Sequence, residues 1–291
     1  MIGTLGPCLP VDLLMASGRL RGPLPWDLER ATPRADGWLE SRFPRWARSI
    51  LEGWAEGRFD DRELVVFSRG DDVVQRLYYY VCELQRRGIV GGPRPLIFDV
   101  AKIPRATSEA HTIAAVRRLA AELGLDDDAL REGIAATNAQ RARTTRLSTG
   151  RACLLAGTPP PHDLLHAAVQ QAGFVPIGPT LEVEWSDLGP LIATEGDPAV
   201  AIGRQVHARQ NAARGFGDLP AGTVASAERH GARAAVLWHP EEDEARIWAV
   251  PRVRQALADA GVPTLVLSRR DERGGDGAPA EIEAFLKGLN L

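Results

Sequence analysis

Residues 64–87, LVVFSRGDDVVQRLYYYVCELQRR, contain a pattern that recurs along the chain. Four apolar residues predict a buried strand, a polar loop follows, and apolar residues at 3.6-residue spacing then predict a helix. Strands alternating with helices indicate parallel sheets that are covered on both faces, so the predicted fold class is α/β. The strands predicted in this way are Leu64–Phe67, Pro95–Phe98, Ala152–Ala156, Ala234–Trp238 and Thr264–Leu267.

The predicted helices place one domain boundary at residue 150. A long charged helix ends at Ser148-Thr149-Gly150, and a new strand begins directly afterwards. We therefore expect an N-terminal α/β domain with added helices over residues 1–150 and a small doubly wound domain over residues 151–291. The predicted helices are Glu40–Glu56, Asp72–Arg87, Ser108–Gly124, Asp126–Leu147, Asp163–Gly173, Pro198–Ala213, Arg246–Ala260 and Pro279–Leu289.

The composition is that of an average globular protein. The 291 residues are 44% hydrophobic and 25% charged, and the net charge of −3 gives no general attraction to nucleic acid or to an anionic membrane. No apolar run is long enough to cross a membrane, and Met1–Pro10 does not look like a signal peptide, so we expect a cytoplasmic protein. Cys8, Cys82 and Cys153 form no CxxC pair, which argues against a disulfide framework or zinc module. The sequence leaves the exposure of Cys8 open.

The loop after the strand Leu64–Phe67 is the first candidate site, because ligands of open α/β sheets bind at the carboxyl ends of strands. It reads Ser68-Arg69-Gly70-Asp71-Asp72. In one interpretation the acids cap the following helix and complement its dipole. In the other, Asp71 transfers protons and Ser68, Arg69 and Asp72 bind substrate, with Arg69 as an anion ligand.

The second candidate site follows the strand Ala234–Trp238 and reads His239-Pro240-Glu241-Glu242-Asp243-Glu244. Four acids in a row are typical of a solvated loop. An imidazole beside carboxylates at this end of a strand also suits proton transfer, with His239, Glu242 and Asp243 as the catalytic groups.

His162 and His166 lie four residues apart and superficially match a zinc-binding helix. The prolines at 159–161 place His162 at the very start of the predicted helix, and the sequence suggests no third ligand. We therefore interpret both residues as structural.

Several segments, in the same order along the chain, resemble one family of enzymes. Pro10–Gly18, PVDLLMASG, resembles the family's opening Pro-x-Glu-Leu-x-x-Ala-x-Gly, and Ala135–Arg141, AATNAQR, resembles its Ile-x-x-x-Asn-x-x-Arg. Further degenerate matches extend the similarity over nearly the whole chain. The family is that of the 2-hydroxyacyl-CoA dehydratases and benzoyl-CoA reductases. The further matches are Arg48–Leu51, Val65–Phe67 with its Tyr-rich helix, Cys153–Gly157, Ala232–Trp238, Gly261–Pro263 and Ile282–Leu286.

This resemblance implies two flavodoxin-like domains that face each other across a cleft, in a dimer of homologous subunits. It also implies low-potential [4Fe-4S] clusters that pass single electrons into an acyl-CoA thioester. The family's three cluster cysteines correspond here to Phe43 or Pro44, Gly70 or Asp71, and Glu242 or Asp243. Because clusters of this kind need thiolates, we expect no [4Fe-4S] cluster in this chain.

Two hypotheses follow from the missing cysteines. In the first, the chain is a component of a lyase (dehydratase) or acyl-CoA reductase, carries no electrons, and pairs with a homologous cluster-bearing subunit or with itself. In the second, it is a stand-alone non-redox enzyme or binding protein for an acyl-CoA or another carboxylated ligand. An acidic site for Mg or Mn in place of the cluster is a third, weaker alternative.

Overall fold

The computed structural model describes residues 1–101, 103, 105–143, 150–209 and 218–289. These residues form two parallel sheets, each flanked by helices. The elements are β1 (Ile2–Leu5), α1 (Val11–Ala16), β2 (Leu20–Pro23), α2 (Pro33–Trp38), α3 (Arg45–Ala55), β3 (Leu64–Ser68), α4 (Asp72–Arg86), β4 (Arg94–Phe98), α5 (Ser108–Leu123), α6 (Asp127–Arg141), β5 (Ala152–Gly157), α7 (Leu164–Gln171), β6 (Val175–Ile177), α8 (Leu181–Trp185), α9 (Pro198–Ala208), α10 (Leu219–Arg229), β7 (Ala232–Pro240), α11 (Glu244–Ile247), α12 (Val250–Asp259), β8 (Thr264–Arg270) and α13 (Ala278–Lys287).

Both sheets have the same strand order. Within the described residues the first sheet runs β2-β1-β3-β4 and the second runs β6-β5-β7-β8, with every neighbouring pair parallel. In each sheet the first strand in the chain lies between the second and the third, which is the doubly wound order of flavodoxin-like proteins. The predicted α/β class and the flavodoxin-like arrangement are confirmed.

All five predicted strands are present, each at or within two residues of its predicted start. The sequence analysis missed β1, β2 and β6, which have at most four residues and contain Gly or Pro in place of a β-branched run. Prolines account for two wrong helix boundaries. Pro44 has extended backbone and delays the predicted Glu40–Glu56 helix until Arg45, while Pro251 begins α12 as a helix separate from α11.

Two further predicted helices extend into segments outside the described residues. The helix predicted to reach Leu147 is described up to Arg141, and residues 144–149 are not described. The helix predicted to reach Ala213 ends at Ala208, and residues 210–213 are not described. The Ser148-Thr149-Gly150 boundary signal lies in part outside the described residues for the same reason.

The second sheet is buried on both faces, as parallel sheets require. Successive residues of β7 point to opposite sides, so Val236 and Trp238 join the core under α7 and α13, while Ala235 and Leu237 join the core under α10 and α12. This alternation places the side chain of His239, the next residue, on the α10/α12 side of the strand.

Contacts divide the described chain into two compact units. Residues 1–143 and 185–209 form the first unit, and residues 150–184 and 218–289 form the second. The sequence analysis placed a single boundary at residue 150 and assigned residues 185–209 to the C-terminal domain. In the structure Ile192, Ile202 and Val206 are part of the apolar core around α1, α5 and α6.

A short sequence occurs twice, where β1 ends and where β5 ends. These are the strands of each sheet that come first along the polypeptide. Residues 6–14 read GPCLPVDLL and residues 157–165 read GTPPPHDLL, with five of nine positions identical. Gly6 and Gly157 both have positive φ, +90° and +102°, where glycine is strongly favoured. The two units thus share local sequence and backbone conformation at the start of their first crossover.

The two motifs that carry the family resemblance meet in a buried ion pair. Arg141 Nη1 and Nη2 donate to Asp12 Oδ1 and Oδ2 at 2.7 and 2.8 Å, and both side chains are almost wholly buried. Arg141 Nη2 also donates to the Leu188 carbonyl at 2.6 Å. Asn138 exchanges two hydrogen bonds with the backbone of Ile192, at 2.8 and 3.1 Å. These contacts hold the segment that leads into α9 in the first unit.

We predict that Asp12→Asn destabilises the protein strongly. The substitution leaves the buried Arg141 charge without its carboxylate, and breaking a buried pair in this way costs about 3–5 kcal/mol. Urea unfolding followed by tryptophan fluorescence measures the change.

The matched control is Asp128→Asn, which removes the carboxylate of an exposed pair with Arg131 on the same helix α6. Exposed pairs contribute less than about 1 kcal/mol. Equal losses from the two substitutions would contradict the prediction.

Candidate functional site

The predicted site residues lie where each sheet can bind a ligand. In a doubly wound sheet the crevice opens at the carboxyl ends of the two strands between which the strand order reverses. These strands are β1 and β3 in the first unit, and β5 and β7 in the second. Residues 68–72 end and follow β3, and residues 239–243 end and follow β7, so each set lies at the crevice of its own unit.

In the first unit the polar side chains after β3 shape the backbone. The Asp71 carboxylate accepts a hydrogen bond from the Val74 amide at 3.0 Å and is the N-cap of α4, with Asp72 in the first turn. Ser68 is fully buried, and its Oγ accepts from the Gly70 amide at 3.0 Å. The contact of Asp71 is the one that the capping interpretation predicted.

Arg69 forms an ion pair with Asp99, a residue that the sequence analysis did not select. Its Nη1 donates to Asp99 Oδ1 at 2.6 Å, and His111 Nε2 donates to Asp99 Oδ2 at 3.0 Å. Burial alone would raise the pKa of Asp99, but the Arg69 guanidinium and the His111 ring hold that pKa below its ordinary value. Arg69 therefore already has a carboxylate partner at the place where it was predicted to bind an anionic substrate.

In the second unit three side chains form a hydrogen-bonded chain at the crevice. Thr158 Oγ1 donates to Asp243 Oδ2 at 2.5 Å, and His239 Nδ1 lies 3.3 Å from the same Thr158 oxygen. Thr158 directly follows β5, whereas His239 and Asp243 lie at the end of β7 and just beyond it. The structure thus joins two of the predicted catalytic residues through a threonine. Glu242, the third predicted catalytic residue of this loop, precedes Asp243 and is partly buried.

The chain of donors fixes the tautomer of His239. A threonine hydroxyl has one proton, and an ionised carboxylate can only accept, so the Thr158 proton is used in the bond to Asp243. The contact between Thr158 and His239 then requires a proton on Nδ1. We therefore assign His239 the Nδ1–H tautomer, with the lone pair on Nε2.

His239 is 3% exposed, and its surroundings favour the neutral ring. Burial lowers the pKa of His239 and outweighs the opposing effect of the Asp243 carboxylate, while Arg246 lowers the pKa further. Among the described residues, Nε2 has no hydrogen-bond partner. A neutral ring with an open Nε2 can accept a proton or a hydrogen bond.

Gly157 completes this site, and no larger residue fits there. A Cβ at position 157 would lie 2.4 Å from the Trp238 carbonyl oxygen and 2.9 Å from His239 Nε2. The Gly157 carbonyl accepts a hydrogen bond from Arg246 Nη1 at 3.0 Å. Asp243 in turn caps α11 by accepting from the Arg246 amide at 3.0 Å.

Sequence analysis missed Thr158, Gly157 and Arg246. The available signal was the Gly-Thr pair where β5 ends, since ligands of such sheets bind at the carboxyl ends of the strands.

The three cysteines lie outside the positions that the resemblance aligns with the family's cluster ligands. Cys8 and Cys153 are buried, and burial raises the pKa of Cys153 to about 12, far from the thiolate form. Burial also raises the pKa of Cys82, although its hydrogen bond with Tyr78 opposes the shift. Phe43 is buried and packs edge-on against Tyr80.

His162 and His166, which superficially matched a zinc-binding helix, each make a hydrogen bond with the backbone. His162 Nδ1 accepts from the Leu164 amide at 3.4 Å, and His166 Nε2 bonds the Gly178 carbonyl at 3.0 Å, so each ring has its own structural contact. In the described part of the chain, no three His, Cys, Asp or Glu side chains are arranged to hold a metal ion.

Of the helices that the structure describes, none combines the length and the apolar character that a membrane span requires. Comparison with models of protein families and with curated proteins found no match.

We predict that His239 makes the stability of the protein fall at acidic pH. The unfolded chain takes up a proton on this ring near pH ~6.5, whereas the folded ring has a lowered pKa, so the unfolded state binds more protons in the window just below ~6.5. The free energy of unfolding then falls as the pH drops through that window, by at most about 1.4 kcal/mol per pH unit.

Urea unfolding at about pH 7.5 and about pH 5.5 measures this difference. His239→Gln should reduce it, and the control His230→Gln, at an exposed histidine of the same unit, should leave it unchanged. The prediction fails if His239→Gln keeps the full pH dependence of the parent chain.

Proposed function

We propose that this chain is a cytoplasmic member of the 2-hydroxyacyl-CoA dehydratase and benzoyl-CoA reductase family that carries no [4Fe-4S] cluster of its own. It serves as a non-electron-carrying subunit of an acyl-CoA-processing complex. The resemblance implied two flavodoxin-like domains, and the two sheets with their common strand order support it. The contact between Asp12 and Arg141, one from each quoted motif, supports it further.

One observation carries the proposal. The residues at the positions of the family's cluster ligands are used here for helix capping, hydrogen bonding and packing. Asp71 caps α4, Asp243 caps α11 and bonds Thr158, and Phe43 is buried with the Arg76 guanidinium over its ring. A chain with these side chains has no thiolate to offer an iron–sulfur cluster at any of the three places.

A radical reaction on an acyl-CoA thioester needs a one-electron donor. In the proposed complex this donor is the cluster of a homologous subunit, and the present chain supplies binding surface. The partner subunit then supplies the cysteine thiolates that ligate this cluster.

A second candidate function is favoured by one specific observation, the hydrogen-bonded chain His239–Thr158–Asp243. Its neutral imidazole suits a non-redox proton transfer on an acyl-CoA or another carboxylated ligand. In that case the chain acts alone or as a homodimer, and no iron-bearing partner is needed.

We predict that affinity purification of the tagged chain from its native cells, under anaerobic conditions, yields an equimolar homologous subunit that contains iron. The tagged chain expressed alone should be colourless and free of iron and sulfide. Iron and acid-labile sulfide assays on both samples, with mass spectrometry of the eluate, make the measurement.

The control is the same purification from cells without the tag. An isolated chain with about four irons per polypeptide would sink the cluster-free proposal. Elution of the tagged chain alone and free of iron would overturn the subunit proposal and favour the second function.

A further inference from the structure

We propose that the crevice of the second unit binds a neutral hydroxyl compound, whose O–H donates to His239 Nε2 next to Gly157. This inference concerns the second unit alone, so it holds or fails separately from the proposed complex. It names the ligand chemistry of a site for which the sequence suggested only proton transfer.

The first step is the acceptor. Thr158 and Asp243 fix the proton of His239 on Nδ1, so Nε2 presents a lone pair. A lone pair of this kind needs a donor, and Nε2 has none among the described residues. The ligand must therefore bring an O–H, N–H or S–H group.

The second step is access. Gly157 is exposed, and His239 Nε2 lies 2.9 Å from the place that a Cβ at position 157 would take. The corresponding glycine of the first unit, Gly6, faces aliphatic carbon atoms and no imidazole. A Cβ at Gly6 would meet the Ser68 Cβ at 3.0 Å and the two methyl groups of Val74 at 3.1 and 3.2 Å. Only the crevice of the second unit places an imidazole nitrogen at this point.

The third step is charge. Two opposite charges lie next to these contacts: Arg246 Nε is 3.8 Å from Asp243 Oδ2, and Arg246 Nη1 donates to the Gly157 carbonyl. Because these charges compensate each other, the group that binds Nε2 needs no charge of its own. A neutral hydroxyl suits both neighbours because its proton can go to Nε2 while its oxygen can accept from a guanidinium N–H.

The test uses the full-length chain labelled with 15N at histidine and two small probes of similar size. Ethylene glycol can donate, whereas 1,2-dimethoxyethane has the same oxygens and no donor. The His239 ring signals are identified by their loss in His239→Gln. We expect them to shift in a saturable way with ethylene glycol and not with 1,2-dimethoxyethane.

Thr158→Val is the matched variant, because valine keeps the shape of threonine but gives Nδ1–H no acceptor. The midpoint concentration of ethylene glycol should rise at least about tenfold in this variant, as expected for the loss of about 1.4 kcal/mol of binding free energy. Equal responses to the two probes, no response to either, or an unchanged midpoint in Thr158→Val would overturn the proposal.

A second measurement needs no ligand. Diethyl pyrocarbonate modifies unprotonated, accessible imidazole nitrogens, and peptide mass spectrometry locates the product. We expect His239 to react in the folded chain, and Gly157→Ala to slow that reaction at least about tenfold, which corresponds to about 1.4 kcal/mol in the barrier.

Gly173→Ala is the control, since Gly173 also has positive φ but a Cβ there would meet nothing within 4 Å. If Gly157→Ala does not fold, the parent chain still decides the question. Reaction of His239 only after the protein is unfolded in urea would refute access to Nε2.

Discussion

The first unit depends on the buried ion pair between Asp12 and Arg141. Two charges removed from water are stable only where both are paired and their remaining hydrogen-bonding groups are satisfied. Arg141 meets this requirement by donating to both oxygens of Asp12, to the side chain of Asn138 and to the carbonyls of Leu188 and Gly189. One guanidinium thereby joins α1, α6 and the segment before α9. Its five donors in a fixed plane suit this task better than the single ammonium of a lysine.

This constraint explains why the two units use the same short sequence differently. Asp12 of the first repeat is buried against Arg141, whereas Asp163 of the second repeat is exposed and precedes α7 without a side-chain capping bond. At the crevice of the first unit Ser68, Cys8 and Val74 are all buried. In the second unit the equivalent loop leaves Gly157 exposed beside a histidine ring.

The strands and helices that could be predicted from the sequence are those whose own residues contain a recognisable pattern. The five longer strands have apolar runs, and helices such as α4 and α5 have 3.6-residue periodicity, so both could be recognised without any knowledge of packing. Strands β1, β2 and β6 form because a neighbouring strand offers hydrogen bonds, and that information lies elsewhere in the chain. The same distinction applies to the site. His239 could be selected from its place after a strand, but its partner Thr158 lies 81 residues away in sequence.

The acids at positions 71 and 243 show why sequence could not separate a cap from a ligand or a catalytic group. Each lies between a strand and a helix, where an aspartate that accepts a backbone N–H stabilises the helix by about 1 kcal/mol. A cysteine sulfur is a weaker acceptor for these amides than a carboxylate oxygen. Under the proposed family membership, each aspartate therefore exchanges a metal-binding role for local stability, and the hydrogen bond from Thr158 gives Asp243 a second role in orienting His239. The loss of cluster ligation and the ordering of the imidazole in the second unit are then two consequences of the same carboxylate.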